Sequence, residues 1–388
     1  MRNLLFSLLL LGNASAAYQH FEARQVHPLA MTPDGTRLVA VDSANARVTV
    51  FDLSTGTPVR LSQIPVGLEP ASVRARNNDE LWVVNEVGDN VSILSLSTGA
   101  VVETLRVGDE PTDVVFAAGK AYIACARSRQ IRIFDASTRA VIGAIELTGA
   151  YPHALATNAD GSRLFAAFLQ SGNRTTVIKR EVAPAQPAPT NTALPAGPDT
   201  ALIVAANDSR VTNTILDNDV AEINTATDTL VRYVSDVGTN LFDLAARPGS
   251  DQIWVANTES LNLTRFEPTL RGHFVDSRLS IITPSLVTTV DLNPGIDYGT
   301  LPNPTAQATA LAQPTSLVFS ADGSIAWVAA FASDRLAKID PVTGNVTARV
   351  DIRTGTDTDA SSMRGPRGLV LDEVRGKLYS LNKLSSSL

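Results

Sequence analysis

The sequence has little of what would staple or metallate a fold. Cys125 is its only cysteine, which excludes an intramolecular disulfide and any Cys-x-x-Cys-His haem attachment within these residues. The histidines are four, His20, His27, His153 and His273. None stands in His-x-His or His-Glu-x-x-His spacing, so no zinc-binding pattern is present. Gly-x-Ser-x-Gly elbows and Walker-type phosphate loops are also missing, although a triad assembled from distant residues would leave no such trace. Basic residues do not cluster, and a formal charge of −7 argues against a nucleic-acid surface. No stretch approaches the roughly 20 apolar residues that span a bilayer, and no 3.6-residue periodicity links the apolar runs.

What the chain does have is a repeated phrase. Leu38–Asp42, Leu81–Asn85, Ala121–Cys125, Leu164–Phe168, Ile253–Asn257, Ala326–Ala330 and Leu378–Asn382 are seven versions of one short apolar strand. A proline opens the strand before it: Pro28, Pro70, Pro111, Pro152, Pro314 and Pro366, with Leu241 in the fifth copy. The first proline spacings are 42, 41 and 41 residues. A period of roughly 40–45 residues with four strands per unit is the signature of a propeller. The sequence therefore predicts an all-β fold, a seven-bladed β-propeller of four-stranded antiparallel blades. The Trp82, Trp254 and Trp327 column is expected to fill the layers between blades. Cys125 stands where Asn85 and Asn257 stand in their copies; it reads as a buried structural thiol, with a reactive or intermolecular thiol as the alternative.

Met1 to Ala17 has the pattern of a removed export signal: Arg2, an apolar run from Leu4 to Leu11, then Ala14-Ser15-Ala16. The mature chain is thus expected to be exported, periplasmic or extracellular, with the propeller over residues 18–388. Turn residues such as Asp34-Gly35, Thr98-Gly99, Asp160-Gly161 and Asp322-Gly323 punctuate the blades. Three insertions interrupt them, at about 171–217, 269–313 and 354–365. In a meander, second-to-third and inter-blade connections share one face. The first insertion, the Asn293–Gln313 part of the second and the third belong there; Thr269–Ser285 is expected on the opposite, plain face. Loops longer than about 12–15 residues are usually functional or disordered, so the decorated face is expected to carry a protein partner or a small ligand.

At the end, Leu388 corresponds to Val91, the start of a third strand. The last blade is therefore expected to be incomplete, with Gln19–Val26 as an outer strand closing the ring, and the reading frame to continue into a longer protein. Candidate ligand-binding residues at the central mouth are those beside the opening prolines, His27, Glu69, Glu110, His153, Gln313 and Arg367, together with Asp42, Asn85, Asn257 and Asn382 at second-strand ends. This mixture of carboxylates, imidazoles and an arginine suits a metal or an anion. Alternatively, Asn and Asp at strand ends satisfy loop backbone groups. No residue is assigned a catalytic role.

The phrase Val-x-Val-x-Asn, followed by Val-Ser, Thr-Gly, Val-Val and Val-Gly-x-x-Pro, resembles the YVTN-type β-propeller repeat of bacterial and archaeal exported and surface proteins. A narrower likeness covers Asn262–Arg278, Leu292–Tyr298 and Met363–Gly368, which resemble bacterial propellers whose chains continue into a c-type haem region. The resemblance implies a non-catalytic binding or docking module, beside haem c carried outside these residues. A lactonase-like hydrolase and a structural surface-layer module are the other classes it admits.

Overall fold

The computed structural model describes residues 24–184, 202–263, 273–300, 302–353 and 362–388. The export segment, Gln19–Ala23 with His20, the proline run after Pro184, and most of Thr354–Gly365 lie outside the described residues.

The first blade is β1 (Leu29–Met31), β2 (Arg37–Asp42), β3 (Arg47–Asp52) and β4 (Val59–Pro65), and the second is β5 (Pro70–Ala75), β6 (Glu80–Asn85), β7 (Asn90–Ser95) and β8 (Ala100–Arg106). The third is β9 (Pro111–Ala117), β10 (Lys120–Cys125), β11 (Gln130–Asp135) and β12 (Val141–Glu146). The fourth begins with β13 (Ala150–Thr157) and β14 (Arg163–Gln170). A small hairpin of β15 (Thr175–Val177) and β16 (Ile203–Ala205) intervenes before β17 (Val220–Asn224) and β18 (Thr229–Val234). The fifth is β19 (Asn240–Ala246), β20 (Ile253–Ser260), β21 (Val275–Ile282) and β22 (Val287–Asp291). A short helix, α1 (Pro304–Thr309), precedes the sixth: β23 (Pro314–Phe319), β24 (Ala326–Ala330), β25 (Arg335–Ile339) and β26 (Val346–Asp351). The chain ends with β27 (Pro366–Asp372) and β28 (Lys377–Asn382). The fold is thus a β-propeller of antiparallel meanders: six four-stranded blades and a two-stranded β27–β28 sheet. The innermost strands touch in sequence from β1 to β23; β27 contacts both β23 and β1 and closes the ring.

Both faces of each blade are apolar, because each is covered by a neighbour. In β6 every residue from Leu81 to Asn85 is buried. Trp82, Val84, Val91 and Ile93 of blade two pack on Val114, Ile123, Cys125 and Phe134 of blade three. Trp254 packs likewise on Leu317, Val328 and Ile339 of blade six. Each fully buried large side chain contributes roughly 1.5–3 kcal/mol, and ring closure lets every blade collect that gain on two faces.

The Val-Gly pairs at 66–67, 107–108 and 237–238, ahead of Pro70, Pro111 and Leu241, have a packing reason. A Cβ on Gly108 would lie 2.6 Å from the Ser128 hydroxyl and 2.8 Å from Cys125 Cβ, and one on Gly67 would lie 2.7 Å from the Asn85 amide. The inter-blade chain crosses directly over the end of the second strand, leaving no room for a side chain. Cys125 is buried and burial pushes its thiol up to about 12, so it is a packing residue.

Two expectations are corrected. Thr269–Ser285 is not a plain-face excursion. Its core, Val275–Ile282, is the third strand of blade five and pairs with β20 from Ile253↔Ile282 to Ser260↔Val275. Only the Thr283–Leu286 turn lies on the plain face. Asp276 and Arg278 break the apolar alternation and hide this strand in the sequence. All long connections therefore join second to third strands or one blade to the next, which places them on a single face. Second, Arg24–Val26 does not run as an outer strand: Gln25 bonds to Ser43 and the Val26 N–H donates to Ala71 O (2.9 Å), which carries this lead into the axis. Among the described residues β28 pairs with β27 and, on its other side, through an Asn382↔Ser387 bridge.

Overpacking of the crossing predicts that Gly108→Ala lowers stability by about 1–3 kcal/mol, read as a lower urea midpoint. Gly143→Ala, where a Cβ meets nothing within 4 Å, is the control and is expected to leave the midpoint unchanged.

Candidate functional site

Each inner strand opens with a bulge. Pro70 stands opposite Asn85 and Ser72 opposite Val84, so Ala71 is the extra residue, and the same shift recurs after Pro111, Pro152, Leu241, Pro314 and Pro366. The residue before the proline is left-handed at Glu69, Glu110, Tyr151, Gln313 and Gly365, with φ between 48° and 67°. Its carbonyl receives the chain leaving the second strand, as in Glu86 N to Glu69 O (3.0 Å) and Ala126 N to Glu110 O (2.8 Å).

Blade one departs from this. Val41 N donates to Pro28 O (2.8 Å), so Pro28 stands opposite Val41, where Ser72 stands opposite Val84. Pro28 is two residues past the opening proline, and His27 takes the bulge position held elsewhere by Ala71, Thr112, His153, Phe242, Thr315 and Arg367. His27 is therefore inside the channel, not on the rim beside Glu69 and Glu110.

There it bridges the ring. His27 Nδ1 lies 2.8 Å from Asp113 Oδ2, and Nε2 lies 2.8 Å from Asp243 Oδ1. Both carboxylates are fully buried. Each also accepts the backbone N–H of the next blade, Leu155 for Asp113 (2.9 Å) and Leu317 for Asp243 (2.8 Å). Ser72 donates to Asp113 Oδ1 (2.7 Å), and Arg74 Nη2 donates to Oδ2 (3.2 Å). Burial and Arg74 push the His27 pKa down, but Asp113 and Asp243 push it up by more, and it settles above its ordinary 6.5. Burial raises the Asp113 carboxyl, whereas Arg74 and His27 hold it well below the usual carboxylate range. The cluster sets an imidazole and a guanidinium against two carboxylates, and Arg74 Nη2 also lies 2.6 Å from His27 Nδ1.

This layer divides the axis. On the plain side a cavity of about 730 Å³ runs between the inner strands, with Leu155, Leu244, Leu317 and Leu369 on its walls and His27 and Arg74 at its floor. On the insertion side a cavity of about 370 Å³ is lined by Arg24, Gln25, Leu169, Gln170, Asn240, Phe242, Gln313, Phe331, Arg367 and Lys383. Burial draws Arg367 down to about 10, so it stays charged at neutral pH. It donates through Nε to Gln25 O, and its Nη2 is 3.5 Å from His153 Nε2. Burial first and Arg367 second hold His153 well below 6.5. Its imidazole is neutral, and its buried Nδ1 has no partner. Alongside, the Arg24 guanidinium lies 5.3 Å from the Tyr151 ring centre, and the Tyr151 hydroxyl donates to Glu86 (2.8 Å). Burial pushes Glu86 up to about 7, with Glu110 adding to it.

The structure brings together only some of the residues expected at the mouth. Gln313 and Arg367 line the insertion-side cavity, and His153 supports Arg367 from behind. Glu69 and Glu110 are half-buried on the rim, where Glu110 is 3.7 Å from Arg127. The strand-end residues serve their own loops. Asn85 bonds Asn90 (2.8 Å) and Ser92 (3.0 Å); Asn257 bonds Ser280 (2.7 Å). Asp42 holds Arg47 (2.7 Å) and Asn45 (2.8 Å), and Asn382 bonds Ser387 (3.2 Å). Asp113, Asp243, Arg74, Glu86, Tyr151, Phe242, Arg24 and Lys383 were not anticipated. A signal existed for the two aspartates: each is a lone charge inside an apolar strand, in Pro-Thr-Asp-Val-Val and Leu-Phe-Asp-Leu-Ala, which implies a buried, paired carboxylate.

Two measurements follow. His27→Leu leaves two buried carboxylates without their shared ring partner and is expected to cost about 3–5 kcal/mol in urea unfolding. Glu86 binds a proton more tightly in the folded chain, about 7 against an ordinary 4.5; stability is lost as pH rises through that window, because the buried carboxyl is forced to ionise. Glu86→Gln should remove that part of the decline between about pH 5 and pH 8.

Comparisons with known proteins agree on the architecture. The family model described as "Lactonase, 7-bladed beta-propeller" matches residues 12–204, a little under half of the 388. No curated protein sequence matches the chain. Among solved structures it is similar to hydrazine synthase of Kuenenia stuttgartiensis, with a TM-score of 0.69 and 18% identity over 95% of this chain and 96% of that one. It is also similar to a putative 6-phosphogluconolactonase of Bacteroides uniformis, with a TM-score of 0.53 and 14% identity over 83% and 84%. At such identities the likeness is one of fold.

Proposed function

We propose that this protein is an exported binding and docking module. It is a seven-bladed propeller of the YVTN type in which β27–β28 stands at the place of the seventh blade, and its ligand is a small anion seated at the insertion-face mouth. The observation that carries this reading is the composition of the 370 Å³ cavity. Arg24, Arg367 and Lys383 supply positive charge, Gln25, Gln170, Asn240 and Gln313 supply amides, Phe242 and Phe331 supply apolar walls, and no carboxylate is among the lining residues. Buried guanidinium groups pair with carboxylates or phosphates through directional, charge-assisted bonds. Long connections on the same face add surface with which a partner protein can reach the mouth. Support for export is the Met1–Ala17 pattern, and support for a haem-bearing neighbour is the resemblance of the Asn262–Arg278, Leu292–Tyr298 and Met363–Gly368 segments.

The match to a lactonase family favours a second reading, a lactone hydrolase working at this mouth. Glu86 is the residue it would use as a base, since a carboxyl titrating near 7 beside Tyr151 is suited to proton transfer.

Thermal unfolding with benzoate, phosphate and neutral benzamide separates these. The binding reading expects a saturable rise in Tm with the anions and none with benzamide. Lys383→Met should weaken the anion by about tenfold, or about 1.4 kcal/mol. Equal shifts with benzamide, or none with any probe, would sink it. Steady hydrolysis of a simple lactone that disappears in Glu86→Gln would favour the enzyme.

A further inference from the structure

A second polar cavity opens on the insertion face, between blades four and five. It measures about 220 Å³, and Asp217, Asp219, Asp236 and Glu259 stand in its walls. None of its lining residues also lines the mouth. The carboxylates gather there because the connections that leave β14, enter β17 and join β18 to β19 meet at this point, beside β20 and β21. Two guanidinium groups answer the four carboxylates. Arg174 donates to Asp217 Oδ2 (3.3 Å) and to Asp236 Oδ2 (2.8 Å), and Arg278 donates to Glu259 Oε2 (3.3 Å).

The oxygens of Asp219 are already engaged. Oδ1 accepts from the Ser171 hydroxyl, and Oδ2 accepts from the Val237 N–H (2.6 Å) and the Gly238 N–H (3.2 Å). Asp217 differs. It is more than nine-tenths buried. Its Oδ2 accepts from Arg174 and from the Asp236 N–H (3.1 Å), whereas its Oδ1 is buried with no partner. Gly172, also in the wall, leaves room at that oxygen: a Cβ there would lie 3.1 Å from it. Burying a charged acceptor without a donor is costly. Burial first, and the Asp217 charge as well, push Asp219 up to about 7 and Glu259 above its ordinary value. The uncompensated negative charge of this cavity thus centres on Asp217.

We propose that this cavity binds the primary ammonium group of a small polar amine, with Asp217 Oδ1 as its deepest acceptor. The walls discriminate among cations. A calcium ion takes roughly 6–8 oxygen ligands, and among the described residues no three acidic, histidine or cysteine side chains converge as metal ligands. A guanidinium pairs with both oxygens of one carboxylate, and Asp217 has only one to offer. Quaternary ammonium groups are held by aromatic faces, and no lining residue is aromatic. A primary ammonium carries its donors on one compact head and reaches acceptors that stand apart. Because the walls are polar, the carbon chain behind that head is short or hydroxylated.

Equilibrium dialysis of the full chain with ethanolamine tests this near pH 8, where Asp219 is mostly ionised. Choline is the matched control, since it keeps the charge and replaces each N–H by a methyl group. Ethanolamine is expected to saturate one site, choline to bind at least about tenfold more weakly, and benzoate at the mouth to leave the amine affinity unchanged. Asp217→Asn should weaken ethanolamine about tenfold or more. Gly172→Ala, which fills the space at Oδ1, should do the same and carries the test if Asp217→Asn fails to fold. Four results would overturn the proposal. Equal binding of choline would mean a loose counterion, and displacement of the amine by calcium would mean a metal site. Competition with benzoate would place the amine at the mouth, and wild-type affinity in both variants would remove it from Asp217.

Discussion

The imidazole of His27 makes the contacts on which the centre of the ring depends. Two carboxylates on opposite arcs, Asp113 and Asp243, are each fixed by the backbone N–H of the following blade. Without the ring between them Asp113 would keep Arg74 and Ser72, and Asp243 would lose the imidazole that joins it to Asp113. The Arg24–His27 lead enters through the insertion-face mouth and places that ring on the axis. A propeller held only by blade-to-blade packing has neighbours but no cross-link. Here the first described residues connect blades three and five directly, across the hole.

The same layer makes the two ends of the channel different. Below it the inner strands show mostly apolar flanks and the connections are short turns. Above it the bulge residues alternate in character, from Ala71 and Thr112 to His153, Phe242, Thr315 and Arg367. Some of these positions tie one blade to the next, as Thr112 does by donating to Pro152 O and His153 O and Thr315 to Pro366 O, while His153, Phe242 and Arg367 differ from blade to blade. The bulge that turns them to the axis is backbone geometry and is common to every blade. A repeated scaffold thereby presents an unrepeated set of side chains at one mouth, on the face where the long connections also gather.

The repeat was legible because blade packing imposes it. The Leu81–Asn85 phrase, the opening prolines and, where they occur, the Val-Gly crossings are each required by a contact between neighbouring blades. Residues outside that constraint were read less well. Pro28 looked like an opening proline but is displaced by two residues, since the first blade enters from the lead and not from a preceding strand. β21 passed for a loop because Asp276 and Arg278, which face partners on the insertion side, replace apolar residues. Asn85 and Asn257 were legible as residue types, yet whether they serve a ligand or their own loops depended on Ser92 and Ser280, which lie on the neighbouring strand.

Periodicity alone determined the all-β class, the four-strand unit, the radial stacking and the face on which most insertions fall, because the spacing of strands and turns is a local property written along the chain. Tertiary structure alone decided which residues meet on the axis. His27, Asp113 and Asp243 are separated by 86 and 216 residues from the imidazole outward, and no local pattern encodes a pairing closed only when the ring is. It also decided that Arg367 and Gln313 line a cavity while Asn85 and Asn257 do not: one shift of register at each bulge points a side chain to the channel or into the blade, and that shift is set by neighbours distant in sequence.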